Sequence, residues 1–179
     1  VNAAHLVDMT KATIGCGDEG FEPDTLIMAA FGRAMRASDY VDALARWHDY
    51  TRIAATFLSQ HDVYMTPTLA RIDWRIGELA LSGGEQKLMQ LMQRCGLSRL
   101  VMNSTTFEQR QQQVFSYTPY AGLANLTGMP AMSVPLYWSQ GNMPLGTHFM
   151  APVAGEGLLF RLAAQLEAVQ PWFHRVPAL

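Results

Sequence analysis

Charged residues, cysteines and long apolar runs are all scarce in this sequence of 179 residues. Charged side chains make up 16% of the chain, against roughly 25% in an average soluble domain. The net charge is only −2, so no strong field attracts nucleic acid or an anionic membrane surface. No apolar run reaches the length of about 18 residues that a membrane-spanning helix needs. The sequence therefore predicts neither a nucleic-acid nor a membrane partner.

The two cysteines, Cys16 and Cys95, are too few for a disulfide framework and lie in no recognisable motif. We predict two free, buried thiols, which fit a reducing cytoplasm. The chain has no signal-peptide pattern and begins with Val1 rather than Met. We therefore expect a cytoplasmic protein, and the ends of this sequence cannot be taken as its natural ends.

What the sequence has in quantity is apolar residues, which make up 49% of it. A chain of this length can bury a real core. The low charge suggests that much of its surface is covered by another part of a larger protein. We predict one fragment over residues 1–179, without internal repeats.

Apolar periodicity and helix-end signals predict a chain that mixes helices with a few strands. Residues 1–20 predict no regular element, because the run "GCGDEG" interrupts them. The predicted helices cover 23–36, 38–60, part of 79–94, 99–114, 120–126 and a last one that begins near Glu156 and is stopped by Pro171. The predicted strands cover 63–65, 131–134 and 144–150, and the last two form an antiparallel hairpin. This pattern predicts the α/β class.

The run "NLTGMPAMSVP" at 125–135 predicts a helix that stops and a strand that follows. Gly128 can adopt the left-handed backbone that closes a helix. Pro135 has no N–H to donate, so we expect it to end the strand. The run fixes a backbone path rather than performing chemistry.

Several residues invite a catalytic interpretation that their surroundings do not favour. The pairs His48-Asp49 and His61-Asp62 lack further ligands at metal-binding spacing, so we interpret them as parts of a solvated helix. A Ser-Gly-Gly run at 82–84 is more typical of a helix cap than of a phosphate loop.

Ser133 and His148 lie on facing predicted strands and could be imagined as nucleophile and base. A serine inside a strand lacks the exposed turn of a usual nucleophile. The only lysines, Lys11 and Lys87, have no Gly/Ser-rich neighbourhood. The sequence thus predicts no catalytic residue, no metal and no cofactor, and an independent hydrolase built on Ser133 and His148 is a distant alternative.

Four segments together resemble a known family: "DVYMTPT", "TPYAGLANLTGMPAMSVPL", "MPLGTHFM" and "LFRLAAQLEAVQPWFHRVP". Their order and spacing are similar to the C-terminal third of the amidase signature enzymes, over residues 38–177. The last segment especially resembles the branch that contains 6-aminohexanoate cyclic dimer hydrolase. The resemblance implies the C-terminal portion of the amidase signature fold, with a few strands of a mixed sheet packed by helices.

The resemblance further implies a hydrolase of amide C–N bonds that uses a Ser–cis-Ser–Lys triad. That triad lies in the family's preceding two-thirds, so none of its residues can be assigned to this chain. Two positions depart from the family's pattern, because His148 stands where glutamine is usual and Ala151 where glycine is usual.

In such a fold we expect the segment before the Gly128 joint to face the acyl side of the substrate pocket. The predicted substrate-binding residues are Phe115, Tyr117, Thr118 and Tyr120. The predicted partners are the missing N-terminal part of the same protein, a small amide substrate and, for this chain alone, further copies of itself in a homo-oligomer. The alternative is a stand-alone, non-catalytic association module.

Overall fold

The computed structural model describes residues 2–72, 75–102 and 104–176. Their helices and strands follow in the order α1 (Asn2–Ile14), a short 3-10 helix (Asp18–Gly20), α2 (Pro23–Ala34), α3 (Ala37–Leu58), β1 (Tyr64–Pro67), α4 (Gly83–Arg94), α5 (Ser98–Met102), α6 (Thr105–Tyr117), α7 (Gly122–Thr127), β2 (Ala131–Trp138), β3 (Pro144–Met150) and α8 (Glu156–Val169). Across the described ranges, every helix is too short or too polar to pass through a bilayer.

The chain divides into two compact units. We call the first the helical unit; it comprises Val1–Leu44 and Arg75–Val114. We call the second the sheet unit; it comprises Ala45–Trp74 and Phe115–Leu179. The division falls within α3, so this helix contributes residues to both units.

In the helical unit, α2 is the central element because its apolar side chains pack on two sides. Ala29 lies in a buried cluster with Val7 of α1. Ile27 and Phe31 lie in a second cluster with side chains of α4, α5 and α6. The rings of Phe31 and Phe107 meet edge to face with centroids 4.7 Å apart, an arrangement that aromatic pairs favour.

The sheet unit is built on three antiparallel strands in the order β1-β3-β2. Neighbouring residues of a strand point to opposite faces, so Phe149 and Met150 lie on different faces of β3. Met150 packs with residues of α3 and α7, which defines the α3/α7 face. Phe149 packs with Val134 and with Leu159 of α8, which defines the α8 face.

The chain after α8 returns to β2. The Gln170 side-chain amide donates a hydrogen bond to the Leu136 carbonyl at 3.1 Å. Leu136 lies in an irregularity of β2, where the pairing register shifts between Pro135 and Tyr137. The Arg175 guanidinium lies 4.1 Å from the centroid of the Trp138 ring, within cation–π distance. These two contacts hold the tail against β2.

The predicted helix-to-strand joint is confirmed. Gly128 closes α7 in the left-handed conformation, with φ 67° and ψ 14°, and its N–H donates to the Ala124 carbonyl at 2.9 Å. The prediction that Pro135 ends the strand is wrong, because β2 continues to Trp138. Among the described strands β2 is an outer one, where a proline removes no ladder bond if its nitrogen faces outward.

Two other predictions about the helices are wrong. Residues 1–20 are not irregular, because α1 forms and buries Ala4 and Val7 against α2. The single helix predicted over 99–114 is two helices, α5 and α6. Ser104 begins the second of them: its Oγ accepts a hydrogen bond from the Phe107 N–H at 3.2 Å, which is an N-cap contact.

The cysteines are unpaired, as predicted, but their burial was predicted wrongly. Cys16 is half-buried and Cys95 is exposed. Cys95 follows directly after the end of α4, and helix ends lie at the surface of the unit. Its exposure therefore follows from its position at the helix end.

Candidate functional site

Four polar side chains lie together on the α3/α7 face of the sheet, and we call them the polar row: Thr66, Thr68, Ser133 and His148. Thr66 and Ser133 each stand directly opposite His148 in the pairing register, and directly opposed residues share a face. Thr68 lies just past the end of β1, and its hydroxyl reaches the same face, where it is hydrogen-bonded to Ser133 Oγ. Both threonines were missed in the sequence analysis, because their place beside His148 depends on the pairing of β1 with β3.

The hydroxyl groups of Thr68 and Ser133 are hydrogen-bonded, with 2.6 Å between Thr68 Oγ1 and Ser133 Oγ. They meet over Gly146 of the intervening strand. A Cβ on Gly146 would lie 2.2 Å from Ser133 Oγ and 2.6 Å from Thr68 Oγ1. Glycine at this position therefore leaves the space for the bond. Three of the quoted sequence segments, one from each strand, meet at this point.

Thr66 and His148 are the buried members of the polar row, with 8% and 7% of their surfaces exposed. Burial lowers the pKa of the His148 imidazole below its ordinary value, because the charged form loses its hydration. His148 is therefore neutral at pH 7. Within the described part of the chain, Thr66 Oγ1 and His148 Nδ1 have no hydrogen-bond partner.

The geometry does not support Ser133 and His148 as nucleophile and base. Such a pair needs a hydrogen bond between the two side chains, and a third group that orients the base. Ser133 Oγ is instead bonded to Thr68, and His148 Nδ1 has no partner in the described ranges. The two residues share a row, as predicted, but do not form a catalytic pair.

Of the predicted substrate-binding residues, Tyr117 is the most firmly held. It is 4% exposed, and its hydroxyl oxygen accepts a hydrogen bond from Arg71 Nη1 at 3.1 Å. The Arg71 guanidinium also lies 5.1 Å from the centroid of the Tyr117 ring. The Tyr117 carbonyl accepts from the Ala70 N–H at 3.0 Å. The end of α6 is thereby anchored to the segment that follows β1.

The other three predicted substrate-binding residues surround Tyr117 in the chain. Phe115 lies in the last turn of α6 and is 64% exposed. Thr118 and Tyr120 are half-buried in the turn between α6 and α7. The Tyr120 carbonyl accepts from the Leu123 N–H at 3.2 Å, which begins α7. The segment is thus a fixed turn with one exposed aromatic ring; its contact with a substrate stays a prediction.

The two His-Asp pairs are exposed on α3 and just after it. Asp49 forms an ion pair with Arg52. The His61 ring stacks on Phe57 with centroids 4.2 Å apart, and its Nδ1 lies 3.0 Å from the Phe57 carbonyl. These contacts support the interpretation as a helix face and a helix end.

The Ser-Gly-Gly run caps α4, as predicted. Ser82 Oγ accepts from the Glu85 N–H at 3.3 Å, and Glu85 Oε2 accepts from the Ser82 N–H at 2.8 Å. This reciprocal pair is a capping box. The hydrogen bonds from Ser82 also lower the pKa of the Glu85 carboxyl.

Lys11 of α1 forms an ion pair with Asp18. The hydrogen bond from Lys11 is the largest cause that lowers the pKa of the Asp18 carboxyl, and the charge of Lys11 is the next.

No protein-family model matches the chain, but individual proteins do. A Mycobacterium leprae protein that carries the name amidase AmiC is 31% identical over 130 residues, which are 73% of this chain and 23% of that protein. The 6-aminohexanoate-cyclic-dimer hydrolase of Paenarthrobacter ureafaciens is 33% identical over 119 residues, 66% of this chain and 21% of that enzyme. The chain thus spans less than a quarter of the length of these relatives.

A solved structure of 6-aminohexanoate cyclic dimer hydrolase matches the fold with a TM-score of 0.68 and 23% identity. The match covers 98% of this chain and 34% of that one. The fold is therefore of the α/β class, and it is the fold of one part of an amide hydrolase. The chain is a relative of the named amidases and cyclic-dimer hydrolases, and the resemblance to the C-terminal part of the amidase signature family is confirmed.

Proposed function

We propose that the chain is the C-terminal part of an amide-bond hydrolase with a Ser–cis-Ser–Lys triad. The observation that carries this proposal is the fold match, which extends over nearly the whole chain but only a third of the hydrolase. The triad then belongs to the preceding part of the protein, and this chain alone is inactive. The substrates are small linear or cyclic amides rather than peptides.

In this proposal the chain contributes sheet strands, packing helices and part of the substrate wall. The wall is the end of α6 together with the turn that follows it, which carry Phe115, Tyr117, Thr118 and Tyr120. Two features support that role: the turn is anchored through Tyr117, and Phe115 offers an exposed ring. Apolar side chains on a fixed backbone are the usual lining of a small-molecule site.

The test uses the longest reading frame that contains this sequence, expressed whole and assayed on linear and cyclic amides. We expect hydrolysis by the whole protein and none by the 179-residue chain. We expect Phe115→Ala to raise KM by about tenfold, because one apolar contact is worth roughly 1–3 kcal/mol. The matched control is Phe160→Ala, on an exposed position of α8. An unchanged KM in Phe115→Ala would remove that ring from the substrate wall.

A second candidate function is a non-catalytic association module. The sheet-unit part of α3 favours it, because Trp47, Tyr50, Ile53 and Phe57 leave large parts of their side chains exposed. Exposed apolar patches drive association, so we propose that the isolated chain forms a homo-oligomer. Light scattering on the purified chain checks this, and a monomer at high concentration would contradict it. Upstream sequence without a lysine and a Gly/Ser-rich loop would favour this second function.

We further propose that the protein works in the cytoplasm. Both cysteines are unpaired thiols in the described structure, and thiols persist in reducing compartments. Fractionation of the source cells, with detection of the whole protein by antibody, tests the location. Recovery in an extracytoplasmic fraction would refute it.

A further inference from the structure

The polar row contains two buried atoms that call for a partner. Thr66 Oγ1 on β1 and His148 Nδ1 on β3 are both enclosed, and neither is hydrogen-bonded within the described residues. Buried polar side-chain atoms in native proteins are nearly always paired, either with protein or with ordered water. Two unpaired atoms on directly opposed residues of one sheet face therefore indicate a shared binding position rather than two separate defects.

The spacing of the two strands fits one small bridging molecule. Thr66 and His148 are direct partners in an antiparallel pair, so their Cβ atoms are roughly 4.5–5.5 Å apart. Oγ1 is one bond from its Cβ and Nδ1 is two bonds from its own. Two successive hydrogen bonds of about 2.8 Å span such a gap. The two atoms form no direct hydrogen bond, and one water between them would give a partner to both.

The neighbouring side chains limit the chemistry of the bound molecule. Thr68 and Ser133 use one donor and one lone pair in their mutual bond, which leaves one donor and further lone pairs between them. All four members of the polar row are uncharged, because His148 is neutral at pH 7. The position thus suits a neutral molecule that both donates and accepts hydrogen bonds.

We propose that Thr66 Oγ1 and His148 Nδ1 together bind one ordered water molecule, which joins β1 to β3 inside the sheet unit. The water satisfies both buried atoms and fixes which ring nitrogen of His148 carries the proton.

The first experiment is a high-resolution crystal structure of the chain or of the whole protein that contains it. We expect density for one water within hydrogen-bonding distance of Thr66 Oγ1 and His148 Nδ1. A direct Thr66–His148 hydrogen bond, or a protein atom in that position, would overturn the proposal.

The second experiment is a double-variant cycle with Thr66→Val and His148→Leu, read as shifts of the denaturant midpoint. If Thr66 and His148 bind the same water, their substitutions have coupled effects. The double variant should therefore lower the denaturant midpoint by less than the sum of the two single shifts. His148→Gln should keep most of the midpoint. The matched control is Thr147→Val, on the adjacent residue of β3 that points to the opposite face. Equal coupling of His148→Leu with Thr147→Val would count against the bridging water.

The third readout distinguishes the water from a merely structural contact. In nitrogen NMR of the His148 ring, Thr66→Val should shift the Nδ1 resonance, whereas Thr147→Val should leave it unchanged. An Nδ1 resonance unmoved by Thr66→Val would overturn the proposal, even if both variants lose stability.

Discussion

The helical unit and the sheet unit are each stabilised by a different kind of internal contact. The helical unit relies on apolar clusters that gather around α2, where helices meet through side chains alone. The sheet unit has apolar clusters on both faces, but it adds a fixed strand register and a row of hydroxyl groups with one histidine. Its glycine at 146 is required by a contact, whereas the glycines that open α4 have open space around them.

The difference teaches where sequence constraints are strict. Helix packing tolerates changes of side chain that keep volume and apolarity. A substitution in a sheet with opposed polar residues also disturbs a defined neighbour on the next strand, a contact worth roughly 0.2–1 kcal/mol. Positions that tolerate few substitutions should therefore be concentrated in the sheet unit.

The largest expected effect is that of Phe149→Ala. Phe149 is 5% exposed and packs on the α8 face of the sheet. Removing such a ring should lower the free energy of unfolding by about 3–5 kcal/mol. Phe160→Ala on α8, where the ring is 76% exposed, should stay within about 0.5 kcal/mol. Chemical denaturation measures both, and similar losses would show that the burial seen here does not govern stability.

Next in size is a pair of glycine substitutions, one in each unit. Gly146→Ala should destabilise by about 1–3 kcal/mol, because the new Cβ displaces the Thr68–Ser133 bond. Gly84→Ala in α4 should stabilise by about 0.5–1 kcal/mol, because alanine is the better helix former. Thermal unfolding of the two variants compares them directly. We expect the two changes in the free energy of unfolding to have opposite signs. A stabilised Gly146→Ala would contradict the proposed difference between the two units.

A cap in the helical unit gives a smaller effect. Ser82→Ala removes both side-chain bonds of the capping box with Glu85, which should reduce stability by about 1 kcal/mol. Ser38→Ala is the control, because Ser38 is exposed near the start of α3 and its hydroxyl donates to the Asp39 carboxylate rather than capping the helix through an N–H. Circular dichroism during urea titration distinguishes the two. Equal midpoints would contradict the capping role.

The smallest effect concerns pH and belongs to the sheet unit. The pKa of His148 is lowered in the folded chain by burial, so the unfolded chain binds the proton more readily. Stability should therefore fall as pH drops through the ordinary value of 6.5 towards the lower folded value. Between about pH 8 and that ordinary value the loss from this group is at most about 0.4 kcal/mol, since half of the unfolded chains are then protonated.

The control for the pH effect is His148→Gln, which cannot titrate. The slope of unfolding free energy against pH should be flatter in this variant than in the parent chain. Measurements at matched salt compare the two slopes. Identical slopes would show that His148 is not shielded from solvent in the folded state.

The sheet unit was also the easier part to predict from sequence. The bounds of β3 and the start of α8 were predicted correctly because proline, glycine and an acidic first turn mark those ends. The left-handed Gly128 followed from the same kind of local signal. Such residues restrict the backbone by themselves, without knowledge of what packs around them.

The predictions that failed depended on tertiary contacts. α1 has no marked beginning and forms where Ala4 and Val7 can pack on α2. β2 continues past Pro135 because that strand is an outer one, which no local pattern reveals. Within the polar row, Ser133 and His148 could be paired from the hairpin, but Thr66 and Thr68 required the register of a distant strand.

The tail after α8 has a consequence for the handling of this chain. Outer strands offer unpaired backbone groups to other chains and so invite aggregation. Gln170 and Arg175 cover one such place on β2. A truncation after α8 would uncover it, so purification tags belong at the other end of the chain. The segment from Gln170 to Arg175 thus protects β2 against the addition of a strand from another chain.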